Sequence, residues 1–406
     1  MSQPRLAPHS PIRLPGDLLA PRILVPPPLS LYVHLPWCLR KCPYCDFNSH
    51  ELRGELPERA YLDALIRDLE TALPEIWGRP VISIFFGGGT PSLFSAAAID
   101  ELISRFRALL PLAADCEITL EANPGTFERE KFRAFRAAGV NRLSIGVQSF
   151  SNACLRALGR VHDGTEAHQA VTGARHYFDD VNVDLMYGLP HQTPQAACGD
   201  VSLALELGAT HISAYQLTLE PNTLFARYPP VLPAEEQLAA IEHSVHGRLA
   251  DAGFVRYEVS AFAPGGRQCR HNRNYWEFGD YLGIGAGAHG KLSFAESVRR
   301  DVRIKHPRDY LTASADFRSQ SAAVVAERLP FEFMLNTLRL TNGVDSRLFT
   351  ERCGAPLSVL TRPLQQAYRR GLIEESPDRF QATALGYRFL NDLVELFLPN
   401  TGVSQD

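Results

Sequence analysis

The sequence has no long apolar run. None of its stretches approaches the roughly 18 uninterrupted apolar residues that a membrane-spanning helix needs. Residues 1–22 carry no apolar core of the kind found in a secretory signal peptide. We therefore expect no integral membrane segment and a cytoplasmic location, with peripheral attachment to a membrane left open.

An excess of positive charge is also missing. The 406 residues include 41 Lys and Arg against 45 Asp and Glu, which gives a formal net charge of −4. Proteins that bind nucleic acid through its phosphates usually carry clustered Lys and Arg, so no nucleic-acid partner is expected. The composition, 45% apolar and 21% charged, is typical of a soluble acidic enzyme with one large and one smaller domain.

Cysteine is sparse, with eight residues in the chain. These are too few for a disulfide framework in a chain of this length. Five of them are scattered along the sequence: Cys116, Cys154, Cys198, Cys269 and Cys353. The other three, Cys38, Cys42 and Cys45, lie close together. In a reducing compartment such a cluster usually binds a metal.

Short β-rich runs, each followed by a helical pattern, recur six times after residue 28. The predicted strands are 30–35, 81–86, 117–122, 142–147, 181–186 and 211–217. The predicted helices are 58–70, 96–110, 128–138, 165–177, 195–207 and 234–252. Repeated strand–helix units need crossover connections of one hand, so the sequence predicts an α/β fold with a partial (β/α)6 barrel, similar to a TIM barrel.

Three domains are expected from the changes of pattern. Residues 1–29 contain eight prolines and predict an extended or disordered lead-in. Residues 30–300 predict the barrel and its extension, and residues 301–406 a small winged-helix-like α+β domain. The expected elements of the latter are helices 331–340, 357–370 and 384–397 and strands 372–375 and 379–382. From residue 331 onwards there are eight Arg, no Lys and nine Asp or Glu, which favours packing over DNA binding.

Polar and glycine-rich residues follow the predicted strands at one end. The cysteine loop follows the first strand, glycines 87–89 and Thr90 the second, Glu121 the third and Gln148 the fourth, while Asp184 lies in the fifth. In β/α barrels the chemistry takes place where strands end and the following loops begin. Candidate ligands from several separate segments therefore indicate a functional site at that end of the barrel.

The cysteine loop, residues 38–45, offers three thiolates on a short segment. Three thiolates can ligate three irons of a 4Fe–4S cluster and leave the fourth iron open to a ligand. A zinc site completed by His34 or His50 is the alternative, although structural zinc normally takes ligand pairs from two separate knuckles. Similarly, the glycine run 87–89 lets a backbone approach a ligand closely, or it forms an ordinary tight turn.

The combination of motifs resembles the radical S-adenosylmethionine superfamily. A CxxxCxxC loop with an aromatic residue before its last cysteine and a GGGTP loop after the second strand carry this resemblance. More narrowly, seven segments resemble the oxygen-independent coproporphyrinogen oxidase group: LYVHLPWCLRKCPYCDFNSH, FFGGGTPS, EANPGT, RLSIGVQSF, LGRVHD, VDLMYGLP and YLGIGAGAHG. The resemblance extends from about residue 31 into the C-terminal domain.

This resemblance implies roles for individual residues. Cys38, Cys42 and Cys45 would bind the 4Fe–4S cluster. Nine residues would contact S-adenosylmethionine or line its cavity: Tyr32, Tyr44, Phe47, Gly88, Thr90, Glu121, Gln148, Arg160 and Asp184. The last three match positions that hold a second cofactor molecule in the oxidase, with buried polar residues of a barrel core as the alternative. The implied chemistry is reductive cleavage of the cofactor by an electron from the cluster, which calls for an electron donor.

Two functional branches of the group differ in sequence. The oxidase has one more cysteine two residues after the cluster motif, where this chain has Phe47, and it has a longer structured N-terminal segment. Residues 271–276, HNRNYW, resemble the haem-binding signature of haem chaperones of the HemW type. That resemblance implies a loop with His271 as an iron ligand, Arg273 as a propionate partner and Tyr275 as an aromatic cover, unless the segment is ordinary surface.

We therefore expect a haem chaperone that carries haem as cargo to respiratory haem proteins and holds a 4Fe–4S cluster and S-adenosylmethionine. An oxygen-independent coproporphyrinogen III oxidase of porphyrin biosynthesis is the alternative, and a radical enzyme with another substrate is a third. Whether the cofactor is cleaved in the working cycle, and hence whether the protein is an enzyme, stays open.

Overall fold

The computed structural model describes residues 22–125 and 128–399. Most of the predicted lead-in, residues 1–21, lies outside the described residues. Arg22 and Ile23 are bonded to the rest of the chain, since their backbone N–H groups donate to the carbonyls of Gly354 and Ala295.

Six parallel strands in chain order form the centre of the fold. They are β1 Leu29–Leu35, β2 Val81–Gly88, β3 Leu112–Ala122, β4 Arg142–Gln148, β5 Asp180–Tyr187 and β6 His211–Gln216. Each pairs in parallel with the next. The predicted (β/α)6 core is confirmed, and β3 begins earlier than expected, at Leu112 rather than at residue 117.

A helix follows each of the six strands, because consecutive parallel strands need a crossover connection. They are Glu58–Ile76, Ala96–Leu109, Glu128–Ala138, Gly164–Tyr177, Pro194–Glu206 and Glu235–Asp251. Several begin at side-chain caps, which satisfy backbone N–H groups that have no partner inside the helix. Ser95 accepts from Ala98 N, Thr193 accepts from Ala196 N, and Asp163 forms a capping box with Glu166.

Successive side chains of each strand point to opposite faces of the sheet. In β1, Leu29, Leu31, Val33 and Leu35 belong to the main hydrophobic core, which also contains residues of the surrounding helices. The alternate residues of the same strand are polar, and they are Ser30, Tyr32 and His34. The barrel therefore has an apolar outer layer under the helices and a polar interior.

Among the described residues, further strands extend the sheet at both edges to twelve strands. Ala261–Ala263 and Val255–Arg256 lie beyond β6 in antiparallel pairing. Asp280–Ile284 runs parallel to β1 on the other side. It is followed by the antiparallel strands His289–Phe294, Ser297–Arg303 and Arg318–Ala323.

The predicted domain division at residue 300 falls inside the strand Ser297–Arg303. That strand pairs on one side with His289–Phe294 and on the other with Arg318–Ala323, so cutting the chain here would split a sheet. We propose that the division lies after Ala323, because the helices that follow pack into a second hydrophobic core.

The C-terminal region consists of short helices around a small sheet. The helices are Leu329–Thr337, Arg347–Cys353, Thr361–Arg369, Ala384–Arg388 and Leu390–Glu395. Two predictions need correction here. The helix expected over 384–397 is interrupted at Phe389, whose ψ of 47 is not helical. The strands expected over 372–375 and 379–382 meet only at a bridge between Ile373 and Ala382, while Arg379–Phe380 pairs with Val344–Asp345.

Within residues 22–125 and 128–399, no helix combines the length and the apolarity needed to span a membrane.

Candidate functional site

A cavity of about 320 Å³ opens at the carboxyl ends of the parallel strands. Its lining includes all three clustered cysteines and eight of the nine predicted cofactor-binding residues. These eight are Tyr44, Phe47, Gly88, Thr90, Glu121, Gln148, Arg160 and Asp184. Segments that lie far apart in the chain meet here because parallel strands end at the same face of a barrel.

The cysteine loop is a closed turn at the rim of this cavity. Its start, Trp37–Cys38, pairs in parallel with His50–Glu51. Lys41 holds the loop from within, since its ammonium group donates to the carbonyls of Phe47 at 3.1 Å and Ser49 at 3.3 Å. The loop thus presents Cys38, Cys42 and Cys45 as free, partly exposed thiols on one short segment.

Residues 159 and 160, which follow β4 in the chain, contact the cysteine loop. The Arg160 guanidinium donates to Cys42 Sγ at 3.6 Å, to Asn123 Oδ1 at 2.7 Å and to the carbonyl of Gly146 at 2.6 Å. Gly159, which has a φ of +67, packs so closely that a Cβ there would lie 2.9 Å from Pro43 Cδ. Arg160 therefore joins the cysteine loop to β4 and to the residue that follows β3 through a single planar group.

The glycine run places backbone against the cysteine loop. Gly88 has a φ of +116, and a Cβ there would lie 2.6 Å from the His34 imidazole. A Cβ on Gly89 would lie 2.5 Å from the carbonyl oxygen of Trp37. The Gly88 N–H donates to Glu121 Oε2 at 3.1 Å. The run is therefore required by close packing of this rim, beyond any role as a turn.

Two acidic side chains lie deep in the cavity. Burial, with a further contribution from Asp184, raises the pKa of Glu121 to about 8. Burial also raises the pKa of Asp184, although that carboxyl accepts hydrogen bonds from Asn182 at 2.7 Å and Ser144 at 3.2 Å. Two carboxyls in one buried site resist being ionised together and become ionised readily when a cation binds between them.

Gln148, at the end of β4, combines an unusual backbone with a fixed side chain. Its φ is +67, which is uncommon for a residue other than glycine. Its side-chain oxygen accepts a hydrogen bond of 2.6 Å from the Tyr215 hydroxyl. Backbone strain of this kind persists only where the surrounding structure enforces it, and it concentrates at functional sites.

Tyr32 lies beneath the cavity rather than on its lining. Its hydroxyl donates to His34 Nδ1 at 2.9 Å, and its ring lies 6.3 Å from that of Phe85. His34 in turn donates from Nε2 to the carbonyl of Asn48 at 2.9 Å. Burial lowers the pKa of His34 to about 4, so this imidazole is neutral.

The two histidines of the zinc alternative differ in their contacts, since His50 Nε2 is buried and has no hydrogen-bond partner among the described residues. Both ring nitrogens of His34 are engaged in hydrogen bonds. In the part of the chain that the structure describes, no three His, Cys, Asp or Glu side chains are arranged to hold a single metal ion.

The predicted haem residues lie on a helix at the opposite end of the strands, so the expected loop is wrong. We call this element, Arg270–Trp276, the floor helix. His271 is 2% exposed, and its Nδ1 lies 3.0 Å from the hydroxyl of Ser83 near the start of β2. Arg273 is exposed and pairs with Glu277, while the ring of Tyr275 lies 4.1 Å from that of Tyr281. The structure does not bring these three side chains together around an open site.

Several lining residues were not expected from the sequence, among them Ser144 and Tyr215. Ser144 and Tyr215 contact Asp184 and Gln148, respectively. The signal that points to them is the alternation of polar and apolar residues in β4 and β6, as in Ser144-Ile-Gly-Val-Gln148. In a parallel strand buried on both faces, a polar residue at every second position indicates a polar interior.

Two regions of the chain match known protein families. Residues 32–201 match the radical SAM superfamily, and residues 326–389 match the HemN C-terminal domain. Over 378 residues the chain is 48% identical to the haem chaperone HemW of Escherichia coli, covering 92% of this chain and 98% of that protein. It is 33% identical over 377 residues to the haem chaperone HemW of Bacillus subtilis, covering 91% and 99%.

Among solved structures, coproporphyrinogen III oxidase (HemN) from Escherichia coli has a similar fold. The TM-score is 0.78 at 24% sequence identity, with 92% of this chain and 90% of that chain covered. At this level of identity the likeness concerns the fold alone.

Proposed function

Because the chain belongs to the HemW family of haem chaperones, within the radical SAM superfamily, we propose that it binds haem and passes it to respiratory haem proteins. A 4Fe–4S cluster at Cys38, Cys42 and Cys45 and S-adenosylmethionine in the adjoining cavity belong to the same proposal. A cytoplasmic location is retained with it, together with acceptors at the membrane and an electron donor for the cluster.

The donor set fits an iron–sulfur cluster. Three free thiols on one loop face a cavity, which suits a cluster that keeps one iron open. The Arg160 guanidinium at Cys42 Sγ provides a positive charge and a hydrogen bond to that sulfur. When bound, such a cluster would supply the electron for radical chemistry on S-adenosylmethionine.

The acidic groups behind the cysteines fit a cationic cofactor. S-adenosylmethionine carries a sulfonium and an ammonium group, and Glu121 and Asp184 are carboxyls that gain from a neighbouring cation. The Gly88 N–H and the Thr90 hydroxyl lie on the same lining. We assign Gly88, Thr90, Glu121 and Asp184 to this cofactor, while Tyr32 would act from beneath the cavity.

The observation that carries the haem proposal is that apolar and cationic side chains lie together at the mouth of the cavity. Three apolar side chains there are exposed: Leu39 and Phe47 at 61% and Val161 at 58%. Arg40 and Lys131 lie on the same lining. A haem is an apolar disc with two carboxylates, so exposed apolar side chains next to cations match both parts of it.

The test is a titration of the reconstituted protein with haem, followed by transfer to the apo-form of a respiratory haem protein. The double variant Leu39→Ser/Phe47→Ser should weaken haem binding by roughly tenfold or more, since it removes two large apolar contacts. Trp77→Ser is the matched control, because Trp77 is 80% exposed at the end of the helix Glu58–Ile76, just before β2 starts.

Several outcomes would count against the proposal. A parent protein that takes up no haem contradicts it directly. Conversion of coproporphyrinogen to protoporphyrinogen in the presence of reductant and S-adenosylmethionine would favour the oxidase alternative. Equal haem affinity in the parent, the double variant and the Trp77→Ser control would remove the assignment of haem to the cavity mouth.

A further inference from the structure

The floor helix is fixed to the barrel at both of its ends. The Glu117 carboxylate accepts the N–H groups of Arg270 at 2.9 Å and His271 at 3.1 Å. Near the other end, Asn274 Nδ2 donates to Ser30 Oγ at 2.9 Å and to the carbonyl of Asp280 at 2.8 Å. A segment held by β1, β3 and the Asp280–Ile284 strand is part of the barrel rather than of a surface loop.

A first chain of contacts runs from His271 to Tyr32. Ser83 donates its hydrogen to Ser30 Oγ at 2.7 Å, so it accepts one from His271 Nδ1 at 3.0 Å. The His271 ring stacks on Phe85, with ring centres 4.9 Å apart, and Phe85 stacks on Tyr32. His271 therefore supports the aromatic layer that lies directly beneath the cofactor cavity.

A second chain runs from the start of the floor helix to Asp184. Cys269 N–H donates to the Tyr257 hydroxyl at 3.3 Å, and that hydroxyl donates to His211 Nε2 at 2.9 Å. His211 Nδ1 donates to Asn182 Oδ1 at 2.6 Å. Asn182 Nδ2 then donates to Asp184 Oδ1 at 2.7 Å. Each donor points towards the cavity carboxyl, so the chain fixes both its orientation and its position.

The same geometry conflicts with haem ligation by His271. The side chain is 2% exposed, and its Nε2 is buried with no hydrogen-bond partner among the described residues, so a haem could reach that atom only if the floor helix moved away from the barrel. Arg273 stands two residues further along the helix, which turns it to a different face, and it pairs with Glu277. One haem cannot use His271 from inside the barrel and Arg273 from outside.

We propose that residues 269–276, the floor helix and its N-cap Cys269, close the bottom of the barrel and position Tyr32 and Asp184 in the cofactor cavity, and that His271 is not a haem ligand. This inference rests on the proposed function, because it assigns a task to the same cavity. It changes the role of the segment from binding the cargo to shaping the site of S-adenosylmethionine.

Two variants test it in the full-length, cluster-loaded protein. His271→Gln removes the stacked ring, and Tyr257→Phe removes only the hydroxyl that joins Cys269 to His211. Each should raise the Kd for S-adenosylmethionine roughly five- to tenfold, the usual effect of losing one orienting buried hydrogen bond. Each should also reduce the change that the cofactor induces in the electron paramagnetic resonance spectrum of the cluster. Haem affinity and the Soret band should stay as in the parent.

His246→Gln is the control for a half-buried, aromatic-packed histidine ring outside both chains of contacts. His246 lies in the helix Glu235–Asp251, and its ring packs on those of Phe262 and Tyr187. Its replacement should lower thermal stability and leave the affinity for S-adenosylmethionine unchanged. If His271→Gln fails to fold, Tyr257→Phe still tests the second chain by itself.

The outcomes separate this inference from the proposed function. Loss of haem binding in His271→Gln with normal S-adenosylmethionine affinity would overturn the inference and restore His271 as a ligand. Unchanged S-adenosylmethionine affinity in both variants would also overturn it. A parent protein that binds S-adenosylmethionine and no haem would overturn the haem proposal, while the cofactor titrations would still decide the role of the floor.

Discussion

Replacing Glu121 with Gln should make the metal-free protein more stable at alkaline pH. The pKa of this carboxyl is about 8 in the folded chain against an ordinary value of 4.5, chiefly because of burial. The folded state then holds a proton that the unfolded state has lost at pH values between these two. Stability associated with Glu121 is therefore present in full below about pH 4.5 and is lost as the pH rises towards 8.

The size of the effect follows from the same two values. A pKa moved from 4.5 to about 8 corresponds to at most about 5 kcal/mol of folding free energy. Because Glu121 lines a cavity open to solvent, we expect roughly 2–3 kcal/mol. A glutamine has the same shape and no charge, so Glu121→Gln should remove this loss.

Urea unfolding of the metal-free protein at about pH 5 and about pH 9 measures the effect. The parent should lose stability at the higher pH, and Glu121→Gln should lose less by the amount given above. Glu55→Gln, at an exposed carboxyl, is the control and should behave as the parent does. If Glu121→Gln keeps the full pH dependence of the parent, Glu121 is not the group that the burial argument identifies.

Three further predictions concern the rim of the cavity. Cys42→Ala should abolish the brown, oxygen-sensitive chromophore of the reconstituted protein, because Cys42 lines the cavity. Cys198→Ala should retain full iron content by chemical analysis, since Cys198 does not line the cavity. Arg160→Met should keep the iron and shift the reduction potential of the cluster to more negative values in a redox titration, because a positive charge next to Cys42 Sγ is lost. Gly88→Ala should cost about 3 kcal/mol in urea unfolding, because its φ is +116 and the new Cβ would lie 2.6 Å from the His34 ring.

The strands and helices of the barrel were predictable because their signals are local. β6 was expected over 211–217 and spans His211–Gln216, and the helix expected over 128–138 has those bounds. The less regular C-terminal region was harder, since its short elements depend on contacts with distant segments. Val344–Asp345, the partner of Arg379–Phe380, has only two residues and no periodic pattern of its own.

The positions of the motifs also predicted most of the cofactor-binding residues that line the candidate cavity. Parallel strands place their carboxyl ends together, so residues that follow different strands could be assigned to one site from the sequence. The direction of an individual side chain was less certain. Tyr32 belongs to the expected set, yet it lies beneath the cavity and bonds to His34 instead of facing the lining.

The sequence by itself determined the alternation of strands and helices, the grouping of Cys38, Cys42 and Cys45 and the membership of the chain in its family. The first two follow from periodicity and spacing over short distances along the chain, and family membership follows from the resemblance of several motifs to those of known proteins. Only the tertiary structure decided that His271 faces the barrel interior while Arg273 faces outward. The physical reason is that six adjacent residues do not reveal whether they form a loop or a helix closed over a polar barrel. That choice depends on hydrogen bonds donated to Glu117 and Ser83, which lie more than 150 residues away in the chain.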